Sequence, residues 1–259
     1  MKLKKIIYTG STGSLGSNMP RNSEIVPIFI KLQNTEMSIY KEIKKHKADM
    51  IIHFAAIIDK EKCENQKKYC YNINVIGSKK LFNASIKANI KRFIYVSTSE
   101  VYGTSKKLIY KNINYKTKPE NTYAELKLEA EKALANIAKE NPKIKLSIAR
   151  VFSVSSNYIR KGSLEEKIHK LAKKQKIEFI EGLNKIRDFS LSTKICKDLI
   201  RLSKSKSYPK IVNICSEKPV KLLDFVCNIY KKYDLNFKIK YHYKVPKTSN
   251  YLIGKKTKF

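Results

Sequence analysis

Apolar and polar positions follow two different periods along the first 150 residues. "LKKIIYT" (3–9), "EIVPIFI" (24–30), "DMIIHFAA" (49–56), "RFIYVST" (92–98) and "KLSIARV" (145–151) are apolar runs of strand length. Between them, "EMSIYKEIKKH" (36–46), "YNINVIGSKKLFNASIKAN" (71–89) and a stretch from about 121 to 140 repeat their apolar residues at helical spacing. Near-continuous apolar strands alternating with amphipathic helices predict an α/β fold: a doubly wound parallel sheet covered on both faces, with right-handed crossovers. Past residue 151 the pattern loosens into a helix over 164–176, a short strand over 210–215 and a helix over 221–233. The expected organisation is a sheet domain over 1–150, rejoined by 186–216, and a small second lobe from 151–185 and 217–259. Ligands of such sheets bind at the carboxyl ends of the strands.

Composition narrows the classes. With 259 residues and 42% hydrophobic content, the chain can bury a large core. No apolar run reaches the roughly 20 residues of a membrane span. The opening "MKLKKIIYTG" is basic then apolar, but glycine follows at once, so it reads as a strand and not a signal peptide. The net charge of +33 comes from 55 basic residues, of which only six are Arg, spread over nearly every block of ten. Base readers and phosphate clamps favour the Arg fork. The charge therefore argues against dedicated nucleic-acid binding, while still drawing in phosphorylated small ligands. Five scattered cysteines (63, 70, 196, 215, 227) without Cys-x-x-Cys point to reduced thiols in a cytoplasmic protein. His46, His169 and His242 show no metal-ligand spacing, so no metal is expected, and His53 lies inside a buried strand.

Two stretches carry chemistry. "TGSTGSLG" places Gly10, Gly13 and Gly16 directly after the first strand, where backbone amides can approach a pyrophosphate. Pro20 cuts short the helix that should follow, and the second strand ends near Lys31 where an acidic ribose ligand is expected; a lysine there would favour a 2′-phosphate. The second stretch is "NTYAELKLEAEKAL" (121–134), with Tyr123 four residues before Lys127. The spacing puts both on one helix face, and a lysine cation beside a phenol lowers the phenol's pKa. Tyrosine has lysine at +4 in five places, namely Tyr40, Tyr102, Tyr123, Tyr243 and Tyr251, so the pair needs its surroundings to single it out.

The surroundings do so. "TGSTGSLG", "DMIIHFAA", "NINVIGSKKL", "YVSTSEVYG" and "YAELKLEAEKA", in this order and spacing, resemble the extended short-chain dehydrogenase/reductase family, the nucleotide-sugar epimerases, dehydratases, decarboxylases and reductases. The resemblance implies a Rossmann-type sheet, NAD or NADP as cofactor, a nucleotide-sugar substrate and a homodimer built on the helices near 74–88 and 121–138. It implies Thr98, Tyr123 and Lys127 as the catalytic set, with Glu100 as an added base. Cofactor contacts would come from Gly10, Thr12, Gly13, Leu15, Gly16, Phe54, Ala55, Ala56, Asn74, Tyr123 and Lys127. Ser99, Ser153 and Arg187 would face the substrate, Arg187 on its diphosphate. "STSEVYG" looks most like UDP-glucuronate decarboxylases and GDP-mannose 4,6-dehydratases. Ser153 stands where the family's "Arg-x-Phe-Asn" has asparagine. The expected reaction is hydride transfer at the sugar of epimerase, dehydratase or decarboxylase type, with a 4-keto-sugar reductase or a non-catalytic dinucleotide-binding regulator as alternatives.

Overall fold

The computed structural model describes residues 5–156, 164–174, 182–233 and 250–259. In chain order the elements are β1 (Ile6–Thr9), β2 (Ile25–Pro27), α1 (Glu36–Lys45), β3 (Met50–His53), α2 (Lys60–Asn65), α3 (Lys67–Tyr71), α4 (Ser78–Lys87), β4 (Arg92–Thr98) and β5 (Tyr110–Lys111). There follow α5 (Thr122–Glu140), β6 (Lys145–Val151), β7 (Ser153–Ser155), α6 (Leu164–Lys173), β8 (Ile186–Leu191) and α7 (Ser192–Lys204). The chain closes with β9 (Ile211–Ile214), β10 (Pro219–Lys221), α8 (Leu222–Lys231) and β11 (Tyr251–Gly254). Among the described residues the main sheet has six strands in the order β2-β1-β3-β4-β6-β9, all parallel. The order reverses between β1 and β3, the switch point where open α/β sheets bind ligands.

Alternation along the strands fills two cores. Ile7, Ile51, Phe93, Tyr95, Leu146 and Ile148 face one side and pack with Leu81, Phe82, Leu126, Ala130 and Leu134 of α4 and α5. Ile6, Tyr8, Met50, Ile52, Ile94, Val96, Ala149 and Val212 face the other and meet Ile195, Leu199 and Leu202 of α7. Burial on both faces is why these strands are written as unbroken apolar runs.

Two expectations change. The stretch 71–89 is not one regular helix: residues Asn72–Gly77 form a wider, π-type turn before α4 begins. Residues 186–216 divide between layers. β9 pairs with β6 in the main sheet, but β8 belongs to a second sheet of order β10-β8-β11-β5, with β7 beside β8. On α5, Leu126, Ala130 and Leu134 pack into the core against the sheet, and Ala124 is buried beside them in sequence.

A small separate core joins α6 to α8 through Ile168, Leu171, Val226 and Ile229. The two sheets are tied at fixed points. Tyr102 donates to Asn213 of β9 (2.8 Å), and the Asn213 amide donates to the Lys111 carbonyl of β5 (2.8 Å). Asp188 of β8, fully buried, accepts from the Ser216 amide (2.7 Å), the Ser216 hydroxyl (2.6 Å), the Glu217 amide (3.0 Å) and the Gly254 amide (3.3 Å). Asp188 thus fastens the segment after β9, and β11, to the second sheet. Asp188→Asn replaces a charged acceptor by one whose second group donates into the same amides. Urea unfolding is expected to show a loss of about 2–4 kcal/mol; a loss below about 0.5 kcal/mol, the range of ordinary surface changes, would show that the carboxylate does not carry the junction.

Candidate active site

The turn after β1 is shaped by what a side chain would strike. Gly10 has φ +73°, and a Cβ there would meet the Ala55 amide nitrogen at 2.7 Å; a Cβ on Gly16 would run into the Gly10 carbonyl. Gly13 is different, with only the Gly10 carbonyl near, at 3.4 Å. The Gly13 amide donates to Gly10 O (3.0 Å) and the Ser17 amide to Gly13 O (2.9 Å). Among the described residues the amides of Thr12, Ser14 and Leu15 find no acceptor, and all three residues line the cleft. Tight glycine packing and spare donors at the switch point fit a dinucleotide's pyrophosphate. The helix that follows is a single turn, Gly16–Asn18, so its dipole adds little. Asn18 secures the turn by donating to Ser14 O (2.8 Å) and Ser156 Oγ (3.2 Å).

From that turn a cleft of about 810 Å³ runs across the carboxyl ends of β1, β3, β4 and β6 to the second sheet. Gly10, Thr12, Gly13, Leu15 and Gly16 line one end. Phe54, Ala55 and Ala56 follow β3, and Thr98, Ser99 and Glu100 follow β4. Tyr123 and Lys127 come from α5, Ser153 from β7 and Arg187 from β8. A cavity of this size suits a small-molecule ligand.

Lys127 is 2% exposed. Its ammonium donates to the Val96 carbonyl (2.8 Å) and lies 4.0 Å from the centroid of the Tyr95 ring. Burial pushes its pKa down to about 7, with Glu131 one turn further along α5 pulling the other way. Glu131 itself is buried, accepting from Ser97 Oγ (2.5 Å) and from Arg150 Nη2 (2.7 Å) and Nε (3.2 Å). Thr98 Oγ1 accepts from the Glu100 amide (3.2 Å), which leaves its own proton to donate.

Glu100 is held on two sides, by Lys60 Nζ (2.7 Å) and by the amide of Asn121 (2.8 Å), whose oxygen also caps α5 by accepting from Ala124 N (2.9 Å). Arg187 Nη1 donates to the carbonyls of Ile186 and Asn250, both at 2.9 Å. Burial lowers the Arg187 pKa, with Glu100 and Glu120 opposing. Asn74 is placed elsewhere: its oxygen accepts from Ile57 N and its amide donates to Ile57 O, both at 2.8 Å. It fixes the loop after β3 and is not on the cleft wall. His53 is fully buried between Thr9 Oγ1 (2.7 Å) and Ser78 Oγ (3.0 Å), and burial pushes its pKa down to about 3, so it stays neutral and structural. Lys31 is exposed.

Sequence reasoning missed Lys60, Glu120, Lys185 and Asn250, all of which line the cleft. It also missed the Glu131–Arg150 pair behind it. Glu131 stood in plain view four residues after Lys127 on the same helix face, and that spacing was the available signal. The others sit in stretches with no periodic pattern. Among the described residues no group of three or more His, Cys, Asp or Glu is placed to hold a metal ion, and no helix is long and apolar enough to cross a membrane.

A glycine turn, a strand-end Ser-Thr segment and a Tyr–Lys helix converging on one cleft of a parallel sheet define a dinucleotide-binding enzyme of the Rossmann class. The chain belongs to the NAD dependent epimerase/dehydratase family, whose model matches residues 11–215. It is 26% identical to an uncharacterised protein of Methanocaldococcus jannaschii over 93% of this chain and 83% of that protein. It is 30% identical to a UDP-glucose 4-epimerase of Pisum sativum over 54% of this chain and 39% of that enzyme. The UDP-N-acetylglucosamine 4-epimerase of Methanobrevibacter ruminantium, solved with UDP-N-acetylmuramic acid, shares the fold at TM-score 0.79 and 21% identity, over 98% of this chain and 87% of that one.

The buried lysine has a consequence for stability. Unfolded, Lys127 keeps its proton up to about pH 10.4; folded, it releases it above about pH 7. Between these values unfolding takes up a proton, so Lys127 makes the wild type more stable as pH rises. Relative to Lys127→Met, the wild type is expected to gain up to about 1.4 kcal/mol per pH unit between about pH 7.5 and 9.5 in urea unfolding. A difference that stays flat over that range would place the folded pKa elsewhere.

Proposed function

We propose that the protein is an NAD(P)-dependent enzyme acting on a nucleotide-linked sugar, by hydride transfer at a sugar carbon and with its cofactor retained between turnovers. The observation carrying this reading is that Thr98, Tyr123 and Lys127 share one cleft with the glycine turn at one end and Lys185 and Arg187 at the other. When bound, the nicotinamide group supplies reversible acceptance and return of hydride. The chain's residues do the rest. The Tyr123 phenolate takes the proton of a sugar hydroxyl. Thr98 Oγ1 donates to the same oxygen and fixes its orientation. Lys127, buried one turn from Tyr123, supplies the positive charge that favours phenolate over phenol. Lys185 and Arg187, two residues apart at the start of β8, draw in the diphosphate.

Epimerisation is the reaction within this class that asks least of the cleft. Dehydration needs a second acid–base group beside the sugar ring, and both nearby carboxylates are engaged. Glu100 is held by Lys60 and Asn121. Glu120 accepts from the Thr104 amide (3.0 Å) and hydroxyl (2.9 Å). A single Tyr–Thr–Lys set that removes a proton from a hydroxyl and later returns it completes an epimerisation. The M. jannaschii and P. sativum relatives and the M. ruminantium structure support the reading at the level of family and fold. A 4-keto-sugar reductase is the second reading, supported by the same cleft with a cofactor that exchanges at each turnover.

Turnover in deuterated water separates the readings. Epimerisation by hydride transfer and return leaves the sugar carbons free of solvent deuterium, whereas dehydration and decarboxylation introduce it from the solvent. Reduction consumes one NAD(P)H per product. For UDP- and dTDP-hexoses the expected mass change is zero, with no net cofactor oxidation. Tyr123→Phe is expected to lower kcat by about 10²–10⁴-fold while cofactor affinity changes little, since only the hydroxyl is lost. Retention of more than about a tenth of wild-type rate would remove Tyr123 from the chemistry.

A further inference from the structure

Behind the cleft, the only side-chain oxygens that face the Lys127 region with a full negative charge among the described residues are those of Glu131. Glu131 is 3% exposed and Arg150 is 5% exposed. Both carboxylate oxygens are used. One accepts from Ser97 Oγ (2.5 Å) and Arg150 Nε (3.2 Å), the other from Arg150 Nε (3.2 Å) and Nη2 (2.7 Å). Ser97 is the residue between Val96, whose carbonyl receives the Lys127 ammonium, and Thr98. Arg150 comes from β6, paired directly with Ser97 in the sheet register. The carboxylate is thus fixed from two strands, β4 and β6, while lying one helical turn from Lys127 on the same face of α5.

We infer that Glu131, clamped by Arg150 and Ser97, is a positioning residue for the reaction: its carboxylate holds the charge on the buried Lys127 ammonium, and so keeps the cation beside which Tyr123 works. This rests on the proposed role of Tyr123 and Lys127. The other groups around the ammonium do not supply that charge. From β4, the Tyr95 ring offers only its π face, and burial keeps its phenol protonated. From β3, His53 is neutral, and its coupling to Lys127 opposes a second cation. From α5, Tyr123 is the group acted upon. From β6, Arg150 is a cation turned to Glu131. Burial alone drives the Lys127 proton off toward neutral pH, and the Glu131 charge is what opposes it. A hydrogen-bonded, immobile carboxylate can do this through a dry interior, where an exposed one would be screened.

The test measures Lys127 directly. With lysine labelled at Cε and Nζ, NMR titration of the full chain should show one lysine with a midpoint near neutral pH, absent from Lys127→Met. Glu131→Gln should move that midpoint down by about one pH unit or more. Because Glu131→Gln leaves Arg150 buried without its partner, the double variant Glu131→Gln/Arg150→Met is made alongside. It leaves no Arg150 cation buried without its partner, is built to fold, and should show the same downward movement. The alkaline limb of the kcat/KM profile should move with the midpoint in either variant, an effect that mere loss of packing would not produce. An unmoved midpoint in the folded double variant overturns the inference, as does a moved midpoint with an unmoved alkaline limb. If the wild type turns over no nucleotide sugar, the functional reading fails, while the titration still decides whether Glu131 governs Lys127.

Discussion

An ammonium group with almost no exposed surface lies at the carboxyl end of the main sheet, and much of the architecture around the cleft can be read as what its burial demands. Taking a charge out of water costs several kcal/mol unless polar groups replace the lost hydration. For Lys127 the replacements are one carbonyl, one aromatic face and one carboxylate a turn away. Each makes a demand of its own. The Val96 carbonyl must have a lone pair turned toward α5. The Glu131 carboxylate must be neutralised in turn, by Arg150. The guanidinium of Arg150 lies 4.8 Å from the Tyr102 ring centroid, and Tyr102 donates to Asn213, which reaches β5. One chain of contacts therefore leads from the cleft to the seam between the sheets. Buried ion pairs are often no more stabilising than well-packed apolar groups of equal volume. Stability alone gives no reason for Glu131 and Arg150 to be there; the charge next to them does.

Strands of the first 150 residues were legible in the sequence because each is buried on both faces, which turns a period of two into an unbroken apolar run. α7 was legible and went unread. Ile195, Leu199 and Leu202 keep helical spacing and bury fully against the sheet, in a helix that begins at Ser192 directly after β8. α2 and α3 gave no signal, since their buried side chains are only Cys63 and Cys70. β5, β10 and β11 are two to four residues long, too short for any period to show. In the site, glycines and the Tyr–Lys spacing are local in sequence and could be read. Of the Glu131–Arg150 pair only Glu131, four residues after Lys127, had a local signal, because its partner lies 19 residues away on β6.

Asn74 is picked out by pattern, while geometry places its side chain on the loop after β3 and off the cleft wall. Hydrogen-bond direction decides its surroundings. Thr9 Oγ1 accepts from the Ala55 amide, so its proton goes to His53 Nδ1. The other imidazole nitrogen then carries the hydrogen and donates to Ser78 Oγ, whose proton goes to the Asn74 carbonyl (2.7 Å). Each hydroxyl donates once, and a neutral His53 is the form that fits, in keeping with its strongly lowered pKa. With its amide spent on both backbone groups of Ile57, Asn74 fastens the π-type turn to the loop bearing Phe54, Ala55 and Ala56. Irregular turns of this kind inside helices often sit beside functional sites.

The electrostatics of the cleft are uneven along its length, and that unevenness follows from who is paired with whom. Glu100 and Glu120 line the cleft, each already satisfied by local donors. Arg187 has no carboxylate within ion-pair distance among the described residues; its bonds go to two carbonyls, which accept hydrogen but cancel no full charge. Its partial burial is costly enough to lower its affinity for its proton, and the two glutamates only partly offset this. A guanidinium in that condition gains from an anion that can take the rest of its fork, and a diphosphate offers the matching oxygen geometry. The diffuse surplus of lysine on the surface raises the local concentration of any such anion without selecting among them. Selection falls to the few groups inside the cleft, whose lining includes Arg187, the glycine turn, Tyr123 and Thr98.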